Sequence, residues 1–153
     1  MIKIDTIDNK ILKILSEDGR ASASMIADEV NLSVPAVGDR IKKLQESGVI
    51  RGFKPIIDSN KIGLGISAFI TVYSESSKNF EKVVLNATKN PNIMKCYTTT
   101  GDGSHLLLVK VGNADLLEKL LRTVQEWPGV TRTQTQIVLS SYIQKESSTL
   151  IKK

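Results

Sequence analysis

Asp102, Ser104 and His105 place a carboxylate, a hydroxyl and an imidazole within one four-residue stretch, the residue types of nucleophilic acyl transfer. Their spacing argues against that chemistry. Residues of one tight turn seldom converge as nucleophile, base and orienting acid, and no nucleophile elbow surrounds Ser104. The flanking Gly101 and Gly103 do not make a phosphate-cradling loop either, because the GDGS stretch leads into a strand-like run and not a helix. His105 is the single histidine and Cys96 the single cysteine, so no zinc site, cysteine cluster or internal disulfide is expected. The chain reads as a non-enzyme without metal or obligatory cofactor.

A second concentration of chemistry is electrostatic. The 153 residues carry 21 Lys and Arg against 16 Asp and Glu, a net +5, and position tells more than the total. Between residues 33 and 54 stand Arg40, Lys42, Lys43, Arg51 and Lys54 against only Asp39 and Glu46. The first 32 residues hold more acid than base. Positive charge is therefore concentrated on one segment, as a phosphate backbone requires of its partner.

The elements that must carry those charges follow from periodicity. Ile7, Ile11, Leu12, Ile14 and Leu15 recur at helical spacing, and Gly19 is a stop. Ser22 caps a second helix with Met25, Ile26 and Val30 inward. After a short turn at Asn31 and Leu32, Ser33 caps a third helix, with Pro35 in its first turn where no N–H is missed. Val34, Val37, Ile41 and Leu44 form its inner side, and Gly48 ends it. Residues 49–58, VIRGFKPIID, are expected to form a short two-stranded wing. Two helices joined by a short turn, then a basic wing, describe a winged helix-turn-helix over residues 1–60. On the outer side of its third helix Ser33, Pro35, Ala36 and Gly38 are compact enough for close approach to base edges, with Asp39 among them. Arg40, Lys42, Lys43, Arg51 and Lys54 are placed to neutralise phosphates. The competing reading is a solvated face, with Asp39 pairing with Lys42 or Lys43 along the helix.

After a linker at 61–65, residues 66–145 alternate between strand and helix patterns in the order βαββαβ. Strands are expected over 66–74, 93–101, 105–112 and 130–143, with one helix around Phe80, Val83, Val84 and Ala87. Asn113 caps the other, with Leu116, Leu117, Leu120, Leu121 and Val124 inward. A faint repeat supports two halves, since each helix ends in a proline turn, at Asn90-Pro91 and Trp127-Pro128. Trp127 is expected to pack over a helix end, and Cys96 to act as a small buried hydrophobe. The fold class is α+β, a winged helix-turn-helix followed by a ferredoxin-like sheet with both helices on one face. An apolar second face calls for a cover, and pairing with another copy is the simplest, so a dimer is expected. Residues 146–153 form a polar tail. With Lys3, Asp5, Asp8, Lys10 and Lys13 near the start, no signal peptide is expected, and no apolar run approaches a membrane span. The compartment reads as cytoplasmic.

The chain resembles the leucine-responsive regulatory protein / AsnC family of transcription regulators, the feast/famine regulators, from residue 4 to about 143. The resemblance is carried by IDTIDNKILKILSEDGR at 4–20, LSVPAVGDRIKKLQESGVIRGF at 32–53, TTTGDGSHLLLVKV at 98–111 and WPGVTRTQTQIVL at 127–139. It implies a DNA-binding winged helix, a regulatory domain that binds an amino-acid effector between neighbouring copies, and dimers that assemble to a tetramer or an octameric ring. Arg40 stands at the family's arginine position. The implied effector residues are Thr99, Gly101, Asp102, Gly103, Ser104, His105, Thr133, Thr135 and Gln136. Threonines on a strand are also there for β propensity. Where the family usually has Gly-Asp, a variable residue, then a second Asp and an aromatic, this chain has Gly101, Asp102, Gly103, Ser104 and His105.

Three functions are thus in play. The first is a sequence-specific transcription regulator biased by an amino acid or related metabolite. The second is a DNA-organising protein of the same family without an effector, which the missing carboxylate at Ser104 motivates. The third is an amino-acid-sensing subunit of an enzyme, against which the basic helix argues.

Overall fold

Helix starts in the N-terminal part of the chain are set by short polar side chains. The computed structural model describes residues 3–142, which divide into two units, one running through Ile56 and the other spanning Ile57–Ser141. In the first, Asp5 opens α1 (Thr6–Glu17) with a reciprocal cap. Its carboxylate accepts the Asp8 N–H at 2.7 Å, and the Asp8 carboxylate accepts the Asp5 N–H at 3.1 Å. Ser22 caps α2 (Ala23–Val30), which stops where Asn31 turns left-handed at φ 52°. Ser33 caps α3 (Val34–Glu46), with Pro35 in the first turn. Ile11, Ile26, Ala27, Val30, Val37 and Leu44 close the core between the three helices.

The first unit departs from the sequence expectations in two ways. Met25 and Val34 are exposed, because the buried set on α2 is Ile26, Ala27 and Val30 and that on α3 starts at Val37. Neither residue lies on the stripe that faces the other helices. The two-stranded wing is not formed either. The Ile50 N–H donates to the Leu44 carbonyl at 2.9 Å, folding the chain back on the end of α3. Residues 51–57 then run without strand pairing. Gly52, at φ 146°, and Pro55, which has no N–H, interrupt any ladder there.

The second unit holds β1 (Ile66–Ser74), α4 (Phe80–Lys89), β2 (Ile93–Thr98), β3 (His105–Val111), α5 (Ala114–Gln125) and β4 (Val130–Ile137). The sheet is antiparallel throughout, in the order β2-β3-β1-β4. Alternation decides its faces. Ala68, Ile70 and Val72 of β1 and Leu107, Val109 and Val111 of β3 are fully buried. With them pack Val83 and Ala87 of α4, Leu117, Leu120 and Val124 of α5, and Trp127 just beyond α5. Both helices therefore cover one face. Each fully buried aliphatic side chain contributes about 1.5–3 kcal/mol there. Leu116, expected inward, is exposed, and Cys96 is half-buried against the core.

Two strands end several residues earlier than their patterns, and β3 stops one residue short, at Val111. β2 stops at Thr98 because the Thr99 N–H turns to the Ser104 carbonyl at 3.2 Å. β4 stops at Ile137, opposite Ala68, close to where its partner β1 begins. Residue 143 of the expected last strand, the end of the second module and the 146–153 tail lie outside the described residues.

Candidate nucleic-acid interface and effector turn

The α3 helix presents two rows to its surroundings. Pro35, Gly38, Asp39 and Lys42 are exposed on its outer side. Ala36, Arg40, Lys43 and Ser47, spaced by three and four residues, line one open groove together with Lys3, Asp8 and Asp39. Asp39 pairs with neither Lys42 nor Lys43. Lys42 lies 3.8 Å from Glu46, with both side chains largely in solvent, a contact of little energetic weight. Lys43, and Arg51 and Lys54 on the extended segment, form no ion pair among the described residues and are exposed.

Arg40 has a different environment from the lysines. Its Nη1 donates to Asp5 Oδ2 and to Asp8 Oδ1, each at 2.7 Å. The Asp5 carboxyl is held below its usual range first by the Asp8 N–H and then by the Arg40 guanidinium. The guanidinium is pushed up by its bonds to both carboxylates. The sequence reading gave Arg40 to a phosphate; in the structure its charge is already answered at the head of α1. Lys3, Asp5 and Asp8 were missed as members of this site. The available signal was the acid at the start of the chain, set against the base on the third helix.

In the second unit, residues 99–104 close the turn between β2 and β3. The Thr99 hydroxyl donates to the Gly103 carbonyl at 3.1 Å, and Gly101 adopts φ 99°, which favours glycine. A Cβ on Gly103 would overlap Thr71 Cγ2, so the turn lies directly on β1. Ser104 faces inward. Its hydroxyl is 3.1 Å from the Val72 carbonyl, 3.1 Å from the Ser74 hydroxyl and 2.9 Å from His105 Nδ1. The His105 ring is fully buried and meets Phe80 edge-on, with centroids 4.9 Å apart. Burial pushes its pKa down. Asp102 is exposed and is the carboxylate that the turn offers to solvent.

The three β4 residues do not share a face. Thr133 and Thr135 pair with Val72 and Ile70, on the side covered by the helices. The Gln125 amide donates to the Thr133 hydroxyl at 3.1 Å. Gln136 pairs with Phe69 on the opposite side. There Phe69, Leu106 and Leu108 are half-buried, and Arg132 stacks on Tyr73 with its guanidinium carbon 3.9 Å from the ring centroid. Among the described residues, no group of three His, Cys, Asp or Glu side chains could hold a metal ion, and no helix is long and apolar enough to cross a membrane.

A helix-turn-helix with an exposed basic face, followed by a ferredoxin-like sheet, defines a two-module transcription regulator. Comparison with known proteins agrees. Residues 4–51 match the family model for a winged helix-turn-helix DNA-binding domain, and residues 67–148 match that of the Lrp/AsnC ligand-binding domain. The HTH-type transcriptional regulator FL11 of Pyrococcus horikoshii is 38% identical over 97% of each chain. The regulatory protein AsnC of Haemophilus influenzae is 31% identical over 95% of this chain and 98% of its own. A solved feast or famine regulatory protein from M. tuberculosis, complexed with L-methionine, superposes with a TM-score of 0.87. It is 30% identical over 93% of this chain and 96% of that one. The chain belongs to the Lrp/AsnC family of transcription regulators, and its relatives are regulators and not enzymes.

Proposed function

We propose that this chain is a sequence-specific, cytoplasmic DNA-binding regulator whose binding is modulated by an amino acid or a related small metabolite. The observation that carries the reading is the outer side of α3. Its N-terminal turn is compact at Ser33, Pro35, Ala36 and Gly38, while Lys42 and Lys43 stand exposed further along. That order suits a helix end entering the major groove with cations meeting the flanking phosphates. Arg51 and Lys54 extend the positive surface beyond the helix.

The effector reading draws support from the L-methionine bound by the M. tuberculosis relative and from the exposed Asp102 on an open glycine turn. Gly101, Gly103 and Gln136 complete the surface available to a ligand, while Thr99, Ser104, His105 and Thr133 are engaged inside this chain. An effector acts only through different affinities for two states, and assembly supplies such states. The half-buried Phe69, Leu106 and Leu108 favour pairing with a second copy, and the family resemblance favours further assembly to a tetramer or octamer.

A second reading, an effector-independent DNA-organising protein, is favoured by Ser104. This residue is neutral and its hydroxyl is turned onto Val72 and Ser74, so beside Asp102 the turn offers no second carboxylate. One experiment separates the two. Thermal unfolding is recorded with each of the twenty amino acids, beside an Asp102→Ala control. A true effector at about 100 times its Kd adds roughly 2.7 kcal/mol. Stabilisation abolished by the control supports the regulator. A flat panel together with equal affinity for selected and random DNA supports the organiser.

A further inference from the structure

The carboxylates that hold Arg40 are the ones that cap α1. Asp5 and Asp8 satisfy each other's backbone N–H groups, and both also accept from the same Arg40 Nη1. The Asp8 side chain is only 15% exposed. The head of α1 and the middle of α3 are therefore tied through one guanidinium. Arg40 lies in the row Ala36, Arg40, Lys43 and Ser47, so anchoring it fixes the rotation of α3 about its own axis. That rotation sets whether Pro35, Gly38, Asp39 and Lys42 look outward. The group also has an unsuitable charge for a phosphate. One guanidinium against two carboxylates at 2.7 Å leaves a net negative charge, which disfavours a phosphate at the remaining N–H groups.

We propose that Arg40 is a positioning residue, a clamp that orients the recognition helix from the head of α1, and that it does not neutralise a DNA phosphate. The proposal rests on the DNA-binding reading and assigns a role within it. Lys43, unpaired in the same groove, is the phosphate contact of this row.

The test uses the full chain and a mixed-sequence DNA duplex, with affinity measured by anisotropy across a salt series. Lys43→Ala should lower the slope of log K against log salt by about one unit. Arg40→Gln should weaken binding about tenfold at fixed salt with the slope unchanged, and Arg40→Lys should restore part of the loss. The discriminating variant is Asp5→Asn with Asp8→Asn. Asparagine still caps a helix, so the start of α1 survives. Removing two negative charges should strengthen DNA binding on simple electrostatics, and more so if Arg40 were thereby released to a phosphate. The clamp predicts weaker binding at an unchanged slope. Tighter binding with a steeper slope in that variant, or loss of a full unit of slope in Arg40→Gln, overturns the proposal. Should Arg40→Gln fail to fold, the aspartate variant and Arg40→Lys decide it alone. A wild-type chain without salt-dependent affinity overturns the DNA-binding reading itself, a result distinct from either variant outcome.

Discussion

Nδ1 of His105 lies 2.9 Å from the Ser104 hydroxyl, while Nε2 of the same buried ring has no partner among the described residues. The two ring nitrogens therefore have unequal environments. If Ser104 donated to Nδ1, the proton would sit on Nε2 as a buried donor without an acceptor, at a cost of about 1–3 kcal/mol. The arrangement in which Nδ1–H donates to the serine, and the serine donates onward to the Val72 carbonyl, leaves only a bare lone pair. His105 is thus best accommodated neutral, as a wedge between β3 and Phe80.

A pH dependence follows. Burial depresses the folded pKa below 6.5, so between the folded and unfolded values only the unfolded chain binds the proton. Stability is full above about pH 6.5 and is lost as pH falls below it, by at most about 1.4 kcal/mol per pH unit. His105 is the single histidine of the chain, so this slope belongs to one residue. Thermal midpoints recorded between neutral pH and about pH 5.5 should fall in the wild type and stay nearly level in His105→Phe. Equal slopes in both proteins would remove His105 from the account.

The contact between Gly103 and Thr71 makes a second prediction. Gly103→Ala places a methyl group on Thr71 Cγ2, which belongs to a short β-branched side chain stiff at χ1. Overpacking of this kind costs about 1–3 kcal/mol. Thr71→Ser removes the opposing methyl, so the double variant should recover most of the loss in a thermal or urea titration. Additive losses would mean that the turn does not rest on β1 as described.

Ser104 and Asp102 should separate stability from ligand response. Ser104→Ala removes a hydroxyl bonded to Val72 and close to Ser74, and should lower stability by about 1–2 kcal/mol. Its effect on an amino-acid-induced thermal shift should be small, because the group points inward. Asp102→Ala should leave the unliganded midpoint within about 0.5 kcal/mol and abolish the shift. The reverse pattern would relocate the effector contact to Ser104.

The parts of this fold that were legible in the sequence are those governed by neighbouring residues. Ser22, Ser33 and Asn113 announce helix starts because a cap is satisfied within three residues. The runs beginning at Ile66 and His105 announce strands because one buried face imposes a period of two. The wing was not legible, since Gly52 and Pro55 are equally at home in a hairpin and in an unpaired segment. The Arg40 clamp spans 35 residues to Asp5 and 32 to Asp8, beyond any local pattern. The separation of Gln136 from Thr133 and Thr135 was within reach, because odd and even positions of a strand face opposite ways. It was obscured by taking the three residues together from a family likeness.

The outer face of the sheet gives the last prediction. Phe69 pairs with Leu108 and Thr71 with Leu106 across β1 and β3, and none of the four touches the helix layer. Lys95 and Tyr97 of β2 and Gln136 and Gln134 of β4 extend the same surface. A sheet with one face packed and a second face carrying Phe and Leu is stabilised by a cover, and an identical face supplies one by two-fold symmetry. Burying a guanidinium against itself across such an axis is strongly unfavourable. Leu108→Arg should therefore lower the mass measured by sedimentation toward that of one chain. Its monomer should keep the helix content of the wild type, because Leu108 lies outside the core between sheet and helices. Lys95→Ala, at the edge of the same surface, should leave the mass unchanged. If Leu108→Arg sediments as the wild type does, this face is not where the copies meet.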